Sequence, residues 1–210
     1  MFDKTNTYAS FDLIELNLLP PNWERQICDV AIENSYYVKL DGKSSTSREP
    51  ADTEGAEVFV VEGDTIAEKL PWLHNLYQKE FLDFANINFK GLYDFAENIK
   101  SGTNINLLKG KNARYEWHVD SNPLTGVFFV TTHNKNDGGE LIFKLPNEIL
   151  TVYPKSGTLI LFDAREIPHT VLPLQKSGIR ISVPLNYYDR GQPQTRPDDL
   201  DSYIYKKTSP

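Results

Sequence analysis

The sequence predicts a mainly β fold with flanking α-helices, in which a barrel-like sheet holds a ligand at its mouth. One observation is that apolar side chains alternate with other side chains over residues 179–187, so that one strand face is apolar and the other is mostly polar. The other is that the N-terminal half carries apolar residues at helical spacing. We expect the polar strand face, with Arg180, Ser182 and Asn186, to line a pocket. Pro184 has no N–H and predicts an edge position or a bulge.

Two helices are predicted upstream of this strand. An apolar stripe after Pro20-Pro21 predicts the first helix. The members of this stripe are Trp23, Ile27, Val30 and Ala31. The second helix is predicted to begin near Thr65, because residues 65–68 have the form of a capping box, and to kink at Pro71. Its apolar side consists of Leu70, Leu73, Tyr77, Phe81 and Phe84. Both helices are expected to cover the outer face of the larger sheet.

Two short apolar strands are predicted at residues 36–38 and 58–61. The segment between them, from Asp41 to Gly55, is small, polar and without periodicity, which predicts a loop. This loop is either a lid that excludes water or a plain flexible connection, and the sequence supports the two interpretations equally. The stretch from Gly191 to Pro210 predicts a tail. Tyr203, Ile204 and Tyr205 are its candidates for docking.

The composition predicts one compact domain, since 210 residues with 40% hydrophobic and 24% charged side chains can form one sizeable core. We expect helices and a sheet extension over 1–100, the barrel core over 101–190 and the tail over 191–210. No run approaches the ~18 apolar residues of a membrane span, and the N-terminus lacks the pattern of a signal peptide. The single cysteine, Cys28, excludes an intrachain disulfide and favours the reducing cytoplasm. We expect it to be a small buried helix residue.

The charge balance weighs against nucleic acid as a partner. A net charge of −7 and a pI near 5.1 are unlike the clustered Lys and Arg that phosphate contacts need. The basic stretch from Lys109 to Arg114 has two interpretations. It is either a solvated hairpin loop, which is favoured, or a cationic rim that attracts an anionic substrate. The sequence gives no indication of an oligomeric state.

Two imidazoles and a carboxylate indicate a metal site. Iron(II) that must also bind an oxoacid and dioxygen is held by three protein groups on one face of its octahedron, and two His with one carboxylate meet this need. In a strand, alternate side chains point the same way, so His118 and Asp120 are expected to project together. Strand alternation turns Trp117 away from this site. His169, on a distant strand, completes the set of three.

A cation follows on the strand that carries the polar face. Arg180 and the Ser182 hydroxyl share that face. Arginine suits an oxoacid carboxylate, because its guanidinium remains charged and can donate to two oxygens at once. The ordered set of His118, Asp120, His169 and Arg180 therefore predicts a non-haem iron site with an anion clamp beside it.

Residues from about Asn104 to Asp189 resemble the double-stranded β-helix core of the 2-oxoglutarate/iron(II) oxygenases, in particular the prolyl-4-hydroxylase-like branch. The segment 138–143, Gly-Gly-Glu-Leu-Ile-Phe, is similar to the family's glycine-led strand between the metal ligands. The segment 154–163 resembles the turn and buried strand before the distal histidine. Pro168-His169 and the Arg-Ile-Ser segment 180–182 follow in family order. The resemblance implies a jelly-roll, cupin-like barrel.

The resemblance also implies roles for individual residues. His118, Asp120 and His169 correspond to the iron(II) ligands, and Arg180 with Ser182 to the residues that hold the 2-oxoglutarate C5 carboxylate. Many members of the branch have a cosubstrate-binding Tyr about ten residues before the first His. This chain has Leu108 there. Asn106 or Tyr115 is the candidate that compensates.

The implied reaction is a hydroxylation. In the family, O2 oxidises 2-oxoglutarate to succinate and carbon dioxide, and an unactivated C–H bond of the substrate is oxidised with it. Relatives that halogenate have Gly or Ala in place of the carboxylate ligand. Asp120 is intact and predicts an outcome without halide. Ascorbate is the expected reductant in vitro.

Substrate contacts are predicted from their proximity to the motif strands. The candidates are Tyr115, Asn122, Arg165 and Tyr188. Arg165 is the preferred partner for a substrate carboxylate, although a surface ion pair explains it equally well. The two remaining histidines, His74 and His133, have no ligand partner in the sequence, and we expect structural or exposed roles for them.

Three functions are consistent with the sequence. The first is hydroxylation of a small molecule, an amino acid or a natural-product precursor, and the compact chain favours it modestly. The second is hydroxylation of a peptide or protein. The third is a cupin-like barrel that binds a metal or a sugar without turnover. The Arg180 and Ser182 pair disfavours the third, because a passive module has no need of an oxoacid clamp.

Overall fold

The computed structural model describes residues 7–40, 56–194, 201–202 and 205–207, and these form two packed antiparallel sheets with helices on one side. The helices are α1 Trp23–Asn34, α2 Gly63–Lys69, α3 Pro71–Gln78, α4 Glu80–Asn88 and α5 Ile99–Gly102. The strands are β1 Tyr8–Asp12, β2 Tyr36–Leu40, β3 Ala56–Val61, β4 Tyr93–Phe95, β5 Ile105–Lys109, β6 Tyr115–His118, β7 Leu124–Phe129, β8 Leu141–Lys144, β9 Ile149–Val152, β10 Thr158–Phe162, β11 His169–Val171 and β12 Ile179–Asp189. Strands dominate, and the fold is the double-stranded β-helix that the sequence predicts.

The larger sheet has eight strands and the smaller sheet has four. The larger sheet runs in the order β1-β10-β7-β12-β5-β3-β2, with β4 added beside β12. The smaller sheet runs in the order β6-β11-β8-β9. The chain passes between the two sheets repeatedly, as the jelly-roll arrangement requires. Both predicted short strands are confirmed, and β2 and β3 also pair with each other and extend the larger sheet through β5.

Two apolar clusters lie on the two faces of the larger sheet. The outer cluster joins the helices to one face of β12, with Ile181, Val183, Leu185 and Tyr187 all buried in it. The inner cluster lies between the sheets and contains aromatic side chains from both, among them Phe129, Phe143 and Phe162. The alternation along β12 therefore separates the helix-facing side from the barrel interior. Arg180 and Ser182 project into that interior.

The first helix agrees with its prediction, and the second differs from it. Helix α1 buries Ile27 and Ala31 completely, while Cys28 beside them is only half-buried. In place of one kinked helix from Thr65, the chain forms three short helices that begin at Gly63 and break at Leu70 and Lys79. No side chain caps the start of α2, so the capping box is not formed. A proline disfavours helical geometry in the residue before it, and Leu70 has φ −131° and ψ 57°.

Pro184 lies in a central strand, contrary to the expected edge position. Strand β12 pairs with β7 on one side along Ser182–Tyr187, and on the other side it pairs first with β5 and then with β4. The Pro184 carbonyl accepts a hydrogen bond from the Asn104 N–H at 3.1 Å, on the side of β5. The missing N–H of Pro184 faces this same side, in the interval between the β5 and β4 pairings. The sheet therefore tolerates the proline without a bulge in β12.

Two sequence expectations concern segments at the limits of the described residues. The candidate lid, 41–55, lies outside them. In the tail, Tyr203 and Ile204 also lie outside, but Tyr205 is described and is buried. Its hydroxyl donates to the Lys100 carbonyl at 2.9 Å and lies 2.5 Å from Asn104 Oδ1. The docking of Tyr205 is thus confirmed. Within the described residues, none of the helices combines the length and the apolar character needed to cross a membrane.

Candidate metal and cosubstrate site

The three predicted metal ligands meet at one point of the barrel. His118 ends β6 and His169 begins β11, and the two residues are directly paired across the smaller sheet. Asp120 Oδ1 lies 3.6 Å from His118 Nε2 and 3.9 Å from His169 Nε2. One ligand atom from each of the three residues lies within 4.8 Å of the other two. A single metal ion placed among them contacts all three.

Both imidazoles are oriented by backbone carbonyls. His118 Nδ1 lies 2.7 Å from the Glu116 carbonyl oxygen, and His169 Nδ1 lies 3.0 Å from that of Ile167. A carbonyl oxygen only accepts, so each Nδ1 carries the proton and each Nε2 presents its lone pair to the metal position. Burial, and then the proximity of His118, lower the pKa of His169 to about 4, which keeps this ring neutral at neutral pH.

Asp120 is oriented by residues that follow it in the chain. Its Oδ2 accepts a 2.6 Å hydrogen bond from the Thr125 hydroxyl. Asn122, a candidate for substrate binding, is buried and donates its amide to Thr125 Oγ1 and to the Leu124 carbonyl. Asn122 therefore lies behind Asp120 with both amide hydrogens engaged. Thr125 cannot be recognised from the sequence, because only the fold shows that a residue five positions later returns to the carboxylate.

The donor set fits iron(II). Two neutral imidazole nitrogens and one carboxylate oxygen on one side of a metal leave the opposite side open for other ligands, as in the two-His, one-carboxylate sites of non-haem iron oxygenases. His169 is buried, whereas the side chains of His118 and Asp120 retain 24% and 20% exposure. The open side of the set is thus the side from which solvent and small molecules approach.

Arg180 is a buried cation that has no ion pair within the described part of the chain. Only 2% of the residue is exposed. Its Nε donates to the Gly139 carbonyl at 2.9 Å, and its Nη1 donates to Ser182 Oγ at 2.9 Å. The Phe129 ring lies 5.5 Å from the guanidinium carbon. Burial lowers the pKa of Arg180 to about 10, so the group remains charged at neutral pH. A buried positive charge without an ion pair is costly unless an anion neutralises it. Arg180 is therefore suited to bind the carboxylate of an oxoacid that lies farther from the metal.

The glycine pair of the 138–143 segment makes room for this arginine. Gly139 has φ +82°, and a Cβ there would lie 3.0 Å from Arg180 Cδ. Gly138 has φ +76°, and a Cβ there would lie 2.1 Å from the Pro173 carbonyl oxygen. Both positions combine left-handed backbone with close approach of a neighbour, which glycine alone tolerates well. The carbonyl of Gly139 is also the acceptor that holds Arg180 Nε.

Tyr115 faces the site because β6 contains an irregularity. His118 pairs with His169 while Tyr115 pairs with Val171, so three steps along β6 oppose two steps along β11. This bulge turns Tyr115 to the same side as His118, and their ring centroids are 6.2 Å apart. Burial raises the pKa of Tyr115, and the charge of Arg180 opposes that shift. The phenol therefore lies near both the metal position and the arginine.

Asn106 and Leu108 lie on the strand next to Arg180. Across the β5–β12 pairing, Asn106 opposes Ser182 and Leu108 opposes Arg180. Directly opposed residues of an antiparallel pair share a face, so Asn106 also projects into the barrel interior, where it is half-buried. Leu108 is fully buried in the inner apolar cluster. Both Tyr115 and Asn106 are thus in position to supplement Arg180 where the family tyrosine is missing.

Arg165 and Tyr188 are the two remaining substrate candidates. Arg165 Nη2 donates to the Ser121 carbonyl at 3.3 Å, and its Nη1 lies 3.8 Å from a carboxylate oxygen of Asp189. Its side chain is 37% exposed, which agrees with the ion-pair interpretation. Tyr188 is buried near the end of β12, where its backbone position opposes Asp94 of β4.

The two remaining histidines have structural surroundings. His133 is buried behind Arg180, with its Nε2 3.2 Å from the Ile179 carbonyl oxygen. Burial, and then the charge of Arg180, lower the pKa of His133. His74 is half-buried in α3 beside Tyr77, and burial lowers its pKa as well. Neither ring belongs to the metal cluster of the described residues.

The basic stretch lines a cleft of about 470 Å³ on the outer side of the β2–β3 hairpin. The cleft also includes Phe59, which opposes Leu107 and packs on the outer apolar cluster. Arg114 in this stretch is paired with Glu116 at 2.7 Å. Lys109, Lys111 and Asn112 in this stretch are exposed, as expected for a solvated loop, and the cleft opens on the sheet face opposite to Arg180.

Residues 103–188 match the family model described as the 2OG-Fe(II) oxygenase superfamily. The matched range contains the metal cluster, Arg180 and Ser182. The sequence matches no curated protein significantly.

Solved structures share the fold at low identity. A prolyl hydroxylase from Trichoplax adhaerens, in complex with a hypoxia-inducible-factor peptide fragment, has a TM-score of 0.64 at 18% identity, over 88% of this chain and 84% of that chain. The 2-oxoglutarate-dependent epimerase SnoN of nogalamycin biosynthesis has a TM-score of 0.62 at 12% identity, over 98% of this chain and 88% of that one. HygX of Streptomyces hygroscopicus, with nickel and 2-oxoglutarate bound, has a TM-score of 0.63 at 10% identity, over 93% and 87%.

The family model matches residues 103–188, and the solved structures, all at low identity, show that the fold is shared. These comparisons indicate a 2-oxoglutarate-dependent Fe(II) oxygenase, in agreement with the resemblance seen in the motifs. The description of the matched family names iron(II) and 2-oxoglutarate, and the donor set and Arg180 fit these two groups.

Proposed function

We propose that the protein is an Fe(II)/2-oxoglutarate-dependent dioxygenase that hydroxylates an unactivated C–H bond of a small molecule. His118, Asp120 and His169 hold the iron, and Arg180 with Ser182 binds the C5 carboxylate of 2-oxoglutarate. The observation that supports this most strongly is the charge of Arg180, which is 2% exposed and has no ion-pair partner within the described residues. A dianionic cosubstrate supplies the missing negative charge.

The metal and the oxoacid supply the oxidising chemistry, in which O2 converts 2-oxoglutarate to succinate and carbon dioxide as a substrate C–H bond is oxidised. The protein's part is to bind and orient. The Nε2 lone pairs of His118 and His169 are fixed by their Nδ1 hydrogen bonds. The guanidinium of Arg180 is fixed by the Gly139 carbonyl and the Ser182 hydroxyl, which leaves three of its five N–H groups for the carboxylate. Tyr115 and Asn106 are the supplementary contacts.

The carboxylate at position 120 supports hydroxylation, or another outcome without halide. Halogenating relatives lack this ligand and use the vacated position for chloride. Here Asp120 is present and is held toward the two imidazoles by Thr125. Epimerisation, the activity in the name of SnoN, is another outcome of this kind.

The substrate is proposed to be an amino acid or a natural-product precursor. Four side chains on the inner face of the larger sheet are only half-buried, so they remain partly accessible for contacts with a substrate. They are Asn106, Val127, Pro184 and Asn186. Two amides and two apolar side chains suit a small molecule that is part polar and part apolar. Of the four substrate candidates, we retain Tyr115, whose ring lies beside that of His118, and propose supporting roles for Asn122, Arg165 and Tyr188.

A peptidyl substrate is the second candidate. The observation that favours it is the likeness to a prolyl hydroxylase whose structure contains a peptide. A barrel that binds a metal or a sugar without turnover is the third candidate, and the buried cation and the match to the family model disfavour it.

One experiment separates these functions. Protein reconstituted with iron(II) without oxygen is mixed with 2-oxoglutarate, ascorbate and O2, and succinate is followed in the presence of pooled free amino acids or pooled short peptides. Mass spectrometry then detects an added oxygen. We expect succinate to rise with the amino-acid pool and not with an Asp120→Ala protein. An oxygenated peptide would favour the second candidate. Absence of both 2-oxoglutarate binding and succinate would favour the third.

A further inference from the structure

We propose that Thr125 is a positioning residue that fixes the Asp120 carboxylate, so that one oxygen alone faces the metal, and that Asn122 holds Thr125 in this role. The inference rests on the proposed function, because it takes Asp120 as a metal ligand. It assigns a task to two buried polar residues that contact neither iron nor substrate.

The hydrogen bonds form a short chain with defined direction. Asn122 Nδ2 donates to the Leu124 carbonyl at 2.8 Å and to Thr125 Oγ1 at 2.9 Å. The Leu124 carbonyl only accepts, so the atom beside it is the amide nitrogen, which only donates. Thr125 Oγ1 therefore receives one hydrogen bond and has a single hydrogen left. That hydrogen is directed to Asp120 Oδ2 at 2.6 Å.

The direction of this chain determines which carboxylate oxygen is available. Oδ2 of Asp120 is engaged by the Thr125 hydroxyl, whereas Oδ1 faces His118 Nε2 at 3.6 Å and His169 Nε2 at 3.9 Å. Asn122 and Thr125 are each only 4% exposed, so water does not compete readily for their hydrogen bonds. A carboxylate held in this way binds the metal through one oxygen and leaves coordination positions free for other ligands.

The two sheets explain why such a support is needed. Both histidines lie on the smaller sheet, whereas Asp120 lies outside a strand, between β6 and β7. Its backbone N–H donates to the Ala164 carbonyl at 2.9 Å. Thr125, in contrast, lies within β7 of the larger sheet and opposes Phe162 and Asn186 on the two neighbouring strands. Thr125 thus ties a ligand on a connecting segment to a rigid sheet position.

The test compares cobalt(II) binding by metal-free wild-type, Thr125→Val and Thr125→Ser proteins, measured by competition with a chromophoric chelator and by the visible spectrum of the bound cobalt. Valine keeps the shape of threonine and removes the hydroxyl, whereas serine keeps the hydroxyl. We expect Thr125→Val to bind cobalt roughly 10- to 100-fold more weakly, as for other residues that orient metal ligands. Its spectrum is expected to change, because Asp120 is then free to offer both oxygens. Thr125→Ser should restore affinity and spectrum.

Three further variants make the outcome unambiguous. Thr103→Val removes another buried hydroxyl, one with no partner in the described residues, and should leave cobalt binding unchanged. Asn122→Leu keeps Thr125 but frees its hydroxyl, and should lower affinity in the same direction as Thr125→Val. If Thr125→Val and Asn122→Leu both fold and bind cobalt like the wild type, the positioning role is wrong. If Asp120→Ala also binds like the wild type, the metal assignment itself fails.

Discussion

At the scale of single residues, Arg180 decides whether the barrel is a cosubstrate site. Replacing it with methionine keeps much of the apolar stem and removes the charge together with three free N–H groups. Hydrogen bonds to charged groups contribute about 1.5–3 kcal/mol, so 2-oxoglutarate should bind roughly 10- to 150-fold more weakly to Arg180→Met. The measurement is a 2-oxoglutarate titration of cobalt-loaded protein. Cobalt affinity serves as the control and should not change. Wild-type affinity for 2-oxoglutarate would refute the clamp.

Tyr115 is the next residue to test. Tyr115 and Asn106 are the two candidates for the cosubstrate contact that a tyrosine makes in many members of the branch, where this chain has Leu108. Tyr115→Phe removes only the hydroxyl near Arg180, and Asn106→Leu removes the amide opposite Ser182. If Tyr115 supplements the clamp, Tyr115→Phe should weaken 2-oxoglutarate binding by about 2- to 10-fold, the value of one hydrogen bond. Asn106→Leu should have a smaller effect in the same titration. The reverse order would assign the contact to Asn106.

The residues of the site differ in how far the sequence predicts them. His118, Asp120, His169 and Arg180 follow from residue type and order, because metal and anion chemistry admits few side chains. The orientation of Tyr115 does not follow from simple alternation, since it depends on a bulge in β6 that pairing with β11 produces. The roles of Thr125 and Asn122 require knowledge of which strand lies beside Asp120. Residue type and order thus predict the metal and anion ligands, whereas strand pairing determines which residues lie beside those ligands and orient them.

At the scale of elements, Pro71 shows how one residue divides a predicted helix. It is the first residue of α3, where an N–H is not used by the helix, and it is exposed. Pro71→Ala should therefore lower the free energy of unfolding by about 0.4–1 kcal/mol, because alanine increases the freedom of the unfolded chain. Chemical denaturation of the metal-free protein measures this. A gain in stability instead would mean that α2 and α3 form one helix strained by an interior proline, for which the cost is about 3 kcal/mol.

Helices and strands whose apolar residues follow one regular spacing are predicted well. Strands that form only because they pair with a neighbouring strand are not. The alternation along β12 and the stripe of α1 appear in the structure as predicted. Strand β1 was not predicted, because five residues at the N-terminal end carry little pattern of their own and become a strand by pairing with β10. The predicted edge position of Pro184 was wrong for a similar reason. Pro184 fits a central strand because it lies between the part of β12 that pairs with β5 and the part that pairs with β4, and only the sheet shows this.

At the scale of the whole molecule, the two sheets bury a neutral histidine, and this links the stability of the fold to pH. Burial holds the pKa of His169 at about 4 in the metal-free fold, against an ordinary value of 6.5. The unfolded chain therefore binds a proton on this ring at pH values where the fold does not. The contribution of His169 to stability is complete above about pH 6.5 and is lost as pH falls toward 4, by up to about 3 kcal/mol.

His169→Gln isolates this contribution, because other groups titrate over the same range. Asp163, whose pKa burial raises, favours the fold on acidification and so acts in the opposite direction. That effect is present in both proteins and cancels in their difference. Between pH 6.5 and 4, the free energy of unfolding of the metal-free wild type should fall more steeply than that of His169→Gln. Bound metal opposes protonation of His169, so metal-loaded wild type should keep its stability to lower pH. Equal slopes for wild type and variant would show that the imidazole is accessible to protons in the folded barrel.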